Sequence, residues 1–97
     1  MVKHIVMFKF KGTPEEKKNV ATRFMEALVQ LPAEIPQLKS IDVGINMNSA
    51  ETWDLVLTAT ADNMEDVGIY SAHPAHQAAV EIIKPYKEDR ACVDYQI

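Results

Sequence analysis

The chain has 97 residues, 47% of them hydrophobic, and ten Lys and Arg against fourteen Asp and Glu leave a net charge of −4. That length is enough for one domain, 1–97, with a modest core, and an acidic balance without a basic run argues against nucleic acid and anionic membrane surfaces as partners. One cysteine, Cys92, leaves no internal disulfide framework and suits a reducing cytoplasm, while the opening residues run straight into alternating sequence without a leader or a spanning segment.

Residues 2–11 alternate as a strand, with His4, Val6, Phe8 and Phe10 on a core face. The other face, Lys3, Ile5, Met7 and Lys9, is half apolar. Gly12 breaks the strand, and Thr13-Pro14-Glu15-Glu16 predicts a helix start: Thr13 caps, Pro14 takes the first position and Glu16 closes a capping box. Val20, Phe24, Leu28 and Leu31 form the buried stripe of this helix, which Pro32 and Pro36 stop. Glu15, Lys17, Lys18 and Glu26 read as its solvated face.

Residues 38–45 read as a second strand, and residues 53–60 as a third with Trp53, Leu55 and Leu57 on one face. Their closeness in sequence predicts an antiparallel hairpin. Asp62-Asn63-Met64-Glu65 reads as a second capping box, opening a short helix through about Tyr70. Another helix starts at Pro74 and stops at Pro85, and residues 90–97 close the chain as a strand. The order is βαββαβ, the α+β ferredoxin-like arrangement with a four-stranded antiparallel sheet. Two helices cover one face of such a sheet. The apolar residues Ile5 and Met7, together with apolar positions on both sides of strands two and three, predict that a second copy covers the other, in a two-fold dimer.

The stretch from Tyr70 to Gln77 concentrates the chemistry, because it holds two of the three histidines around Pro74. Proline suits the first helical position, so His73 is the expected N-cap and His76 falls in the first turn. His76, Ala79, Val80 and Ile83 follow the i, i+3, i+4, i+7 spacing, which turns His76 inward. Burial and the positive end of the helix dipole both disfavour imidazolium, so His76 is expected neutral at pH 7 and able to act as a general base. Tyr70 is placed to bring a phenol to the same pocket. An inward histidine is also commonly a satisfied core residue, and His-x-x-His, with His4 added, is a conceivable though thin metal set without a matching Cys or carboxylate.

Taken together, Val2-Lys3-His4-Ile5-Val6-Met7-Phe8-Lys9-Phe10-Lys11, the segment Tyr70…His73-Pro74-Ala75-His76 and the closing Asp94-Tyr95 resemble the stress-responsive α/β-barrel (Dabb) family, across essentially the whole chain. The resemblance implies a dimeric α+β barrel with a small-molecule pocket between sheet and helices. By motif it makes His76 the general base of a cyclase-like member, Tyr70 a substrate-holding tyrosine and His4 a pocket residue. With the inward stripe of the first helix, the expected pocket set is His4, Leu55, Phe24 and Leu28, with His73 as a structural cap. Leu55 stands where a cyclase member carries a further histidine, and Gln77-Ala78-Ala79-Val80 is smaller than its counterpart, so the substrate does not transfer with the motif.

Two functions follow as expectations. One is a cofactor-free enzyme that moves a proton on an enolisable carbonyl compound, with no metal; three glycines and no Gly-rich phosphate loop speak against a nucleotide cofactor. The alternative is a non-catalytic, ligand-binding or stress-related dimer.

Overall fold

Each alternating or periodic run becomes an element, in the order β1 (Val2–Phe10), α1 (Pro14–Leu28), β2 (Ser40–Ile45), β3 (Leu55–Ala61), α2 (Met64–Ala72), α3 (Pro74–Ile83) and β4 (Lys87–Gln96). A 3₁₀ turn at Leu31–Ala33 follows α1. These come from a computed structural model that describes residues 1–97. The four strands form one antiparallel sheet in the order β2-β3-β1-β4, the ferredoxin-like arrangement.

The start of α1 is held by both halves of its capping box: the Thr13 hydroxyl accepts from Glu16 N–H, and the Glu16 carboxylate accepts from Thr13 N–H. Those bonds satisfy two donors that the first turn would otherwise orphan, and they pull the Glu16 carboxyl below its usual range. Gly12 enters the cap at φ +125°, where a side chain would be strained and its Cβ would meet Glu16 at 3.3 Å.

The core lies between the helices and one face of the sheet. Val6, Phe8 and Phe10 of β1 meet Val20, Phe24 and Leu28 of α1, Leu55 and Leu57 of β3, and Ile83 of α3. Phe8 stacks with Phe10 and meets Phe24 edge to face, a favoured aromatic geometry.

Several boundaries differ from the sequence reading. Helix α1 ends at Leu28, before the prolines, and Leu31 is buried from the 3₁₀ turn instead. Strand β2 begins at Ser40 because Leu38 N–H bonds Ile35 O, which keeps Leu38 in a turn. The cap of α2 is Asn63 rather than Asp62, with its side chain accepting from Asp66 N–H. Strand β4 starts earlier, at Lys87.

Trp53 lies outside β3. Beside it the Asp54 carboxylate, rather than a ladder carbonyl, accepts from Phe10 N–H, and the indole sits 4.9 Å from the Lys9 ammonium. The uncovered sheet face also differs in detail. Ser40, Asp42 and Gly44 of β2 and Thr58 and Thr60 of β3 make one side of it polar or small. Its apolar part is carried by Ile5 and Met7 of β1, Val56 of β3, and Val93 and Tyr95 of β4, of which Val93 is 54% exposed.

Candidate active site

Helices α2 and α3 meet at a break that His73 makes from both sides. Its N–H bonds Tyr70 O to finish α2, while its Nδ1 accepts from Ala75 N–H at 3.0 Å to start α3. Pro74 then enters without a missing donor. The cap expected from sequence is therefore present. Since Asn places an acceptor at a similar reach, His73→Asn is expected to change stability by a few tenths of a kcal/mol, against about 1 kcal/mol for His73→Ala, measured by denaturant unfolding.

The break leaves carbonyls at the end of α2 without helical partners. One of them, Ser71 O, accepts from His76 Nδ1 at 2.9 Å and from Gln77 Nε2 at 2.8 Å. A carbonyl only accepts, so Nδ1 carries the imidazole proton and Nε2 keeps its lone pair. Burial lowers the His76 pKa from its ordinary value, and His4 and Arg90 lower it further against the Ser71 bond. At pH 7 this is a neutral imidazole. Glu81 on the same helix does not oppose that: it is paired with Lys84 at 2.9 Å and lies outside the pocket.

Tyr70 lies directly against this ring, with centroids 4.6 Å apart, and His4 meets Tyr70 edge-on at 6.0 Å. Tyr70 is only 1% exposed, and its hydroxyl has no hydrogen-bond partner. Burial raises its pKa to about 12, so it is a neutral phenol with a proton to give. A buried orphan hydroxyl is costly, and it marks a place where a ligand acceptor would be welcome.

His4 is held by a residue that sequence reasoning did not single out for this role. Asp94 on β4 is the register partner of His4 on β1, and its Oδ1 accepts from His4 Nδ1 at 2.5 Å. Cys92 completes the group, its Sγ 3.6 Å from His4 Nδ1 and 3.8 Å from Asp94 Oδ2. Burial and the Asp94 charge raise the thiol pKa, so Cys92 remains a thiol rather than an activated nucleophile. His4 and His76 both line the same cavity with Tyr70, whereas His73 is engaged as a cap.

These groups surround a cavity of about 220 Å³. His4, Val6, Phe8 and Leu57 line it from the sheet, and Phe24 from α1. Tyr70, Ser71, His76, Gln77 and Val80 line it from α2 and α3, and Lys87 and Arg90 stand on β4. Of the pocket set expected from sequence, His4 and Phe24 line the cavity. Leu28 and Leu55 lie in the packed core, and Leu57, one strand repeat further on, takes the place expected for Leu55. Apolar walls around a few convergent polar groups are the usual form of a small-ligand site.

The chain can be compared with known proteins on this basis. Olivetolic acid cyclase from Cannabis sativa is 27% identical over 97 residues, 97% of this chain and 94% of that protein. A dimeric protein of unknown function and ferredoxin-like fold from Bacteroides fragilis is 48% identical, with a TM-score of 0.97 over 99% of this chain and 95% of its own. A dimeric ferredoxin-like protein of unknown function from Thermobifida fusca is 33% identical, with a TM-score of 0.79 over 99% of this chain and 90% of its own. The model of the stress responsive A/B barrel domain matches residues 2–97, so the chain belongs to that family, Dabb.

Proposed function

We propose that the protein is a homodimeric, cofactor-free proton-transfer enzyme, cyclase- or lyase-like, acting on a small enolisable carbonyl compound. The observation that carries this reading is the pairing, at one cavity, of an imidazole with a free Nε2 and a buried phenol with no partner. His76 Nε2 takes a proton from the carbon next to the carbonyl. The electron pair left behind moves onto the carbonyl oxygen, and the Tyr70 O–H donates to the enolate that forms. The proton then returns from His76 to carbon, or the enolate carbon attacks within the same molecule. His4, oriented by Asp94, helps position the ligand. Proton transfer by a placed base contributes about 10²–10⁴-fold, enough for substrates that are already acidic.

Similarity to a cyclase supports the chemistry, and the dimeric relatives support self-association. The apolar residues of the uncovered sheet face, Ile5, Met7, Val56, Val93 and Tyr95, support that face as the contact. The exposed single thiol of Cys92 suits a reducing cytoplasm. No helix is long and apolar enough to cross a membrane.

Pentane-2,4-dione in D₂O tests the reading: the protein is expected to speed exchange of its central C–H, followed by NMR. Binding of the dione without any acceleration would contradict catalysis and favour the ligand-binding alternative. Tyr70→Phe has an unusual expected signature, because it removes a hydroxyl that has no partner. The free protein should be as stable as wild type or up to about 1 kcal/mol more stable, while exchange should slow by about tenfold or more. A loss of stability without a loss of rate would remove Tyr70 from the mechanism.

A further inference from the structure

We propose that the substrate of this site is a short oxo acid whose carboxylate is held by Arg90 and Lys87 at the β4 side of the cavity. This rests on the proton-transfer reading above and adds the charge class of the substrate. The first observation is a contrast of sign. The chain carries a net charge of −4, yet the two residues with permanently charged side chains that line the cavity are both cations. Neither takes part in an ion pair, since the carboxylates in the observed pairs go to His4, Lys39 and Lys84. Asp94, the carboxylate beside the site, is engaged by His4 and Cys92.

The second observation is how the two cations come to share a face. Side chains alternate along a strand, so residues three apart, such as Lys87 and Arg90, would point to opposite sides of a regular β4. The ladder with β1 is not regular there: Lys9 pairs with Asp89, Phe10 pairs with Lys87, and Glu88 is skipped. This extra residue resets the alternation, and Lys87 joins Arg90 on the side of Phe8 and Phe10, which faces the helices. Bulges of this kind commonly re-aim a side chain beside an active site.

The chemistry fits the placement. An arginine fork matches a carboxylate in two bonds, and a lysine adds a mobile point charge. Enolisation adds a second negative charge to an oxo acid, and the Arg90 charge is already felt at Tyr70 and His76. The cavity of about 220 Å³ lies below the roughly 300–1,000 Å³ of sites for drug-sized ligands, which suits an acid of few carbons. In the reaction, the C2 proton of a 3-oxo acid passes to His76 Nε2, its electron pair becomes the enolate, and carbon is reprotonated from the same imidazole. No oxidant or second reactant enters.

The test compares 3-oxobutanoate with its methyl ester, an uncharged counterpart, by measuring both affinities by NMR and both C2–H exchange rates in D₂O. The wild-type protein is expected to bind the anion at least about 100-fold more tightly than the ester. Arg90→Gln and Lys87→Gln should each lower that preference by about tenfold, Arg90→Glu should invert it, and added salt should weaken it. A preference that survives in the double variant Arg90→Gln/Lys87→Gln, or a wild-type protein that favours the ester, would overturn the inference. Inorganic phosphate binding more tightly than 3-oxobutanoate would overturn the carboxylate assignment. The two readings fail separately: loss of the anion preference leaves ester exchange as evidence for the base, whereas absent exchange with the preference intact removes the base alone.

Discussion

Replacing His76 with Gln is expected to slow carbon-proton exchange by about 10²–10⁴-fold, the range lost with a general base. Glutamine retains polar reach toward Ser71 O but offers no nitrogen that can accept a proton. The same substitution should change the pH dependence of stability. Burial lowers the His76 pKa in the folded chain, so between the two values the unfolded chain binds the proton more readily. Stability is therefore expected to be fully present above the unfolded value of about 6.5, to fall as pH drops below it, and to stop falling once the folded value is passed. In His76→Gln that part of the pH dependence should be missing. Denaturant unfolding from pH 8 to pH 5 on both proteins gives the comparison, and identical slopes would mean that His76 does not titrate as an inward imidazole.

The second large effect concerns assembly. Met7→Glu or Val93→Glu should raise the dimer dissociation constant by at least about 100-fold, because in the proposed sheet-to-sheet contact each would bury an unpaired carboxylate. Val93 on β4 stands opposite Ile5 on β1, and Met7 opposite Val56 on β3, so both positions lie in the apolar part of the face. Light scattering at micromolar concentration should then show a dimer for wild type and a monomer for either variant. A wild-type monomer, or variants that remain dimeric, would place the contact elsewhere.

These two cases also mark how far sequence reaches. The inward turn of His76 follows from its spacing with Ala79 and Ile83, and the cap at His73 follows from Pro74, because helical periodicity and proline geometry are local. The His76 tautomer is not local in that sense: it depends on Ser71 O being left over where α2 stops. Asp94 was visible as part of a terminal motif, but its bond to His4 spans ninety positions and needs the β1–β4 register. The bulge at Glu88 carries no sequence mark comparable to the glycine at Gly12. Leu55 and Leu57 share a face by alternation, yet which of them meets the cavity depends on where α1 and α3 leave space. The polar outward side of β2 and β3 shows the same limit, since alternation alone does not say which set turns outward.

The account depends most on a neutral His76 with a bare Nε2 in the cavity. A ¹⁵N-edited NMR titration of the three imidazoles measures this directly, with His76→Gln supplying the assignment. The expected result at pH 7 is a protonated Nδ1, an unprotonated Nε2 and a titration midpoint below about 6.5. A midpoint at or above that value, or a proton on Nε2 at pH 7, would contradict it.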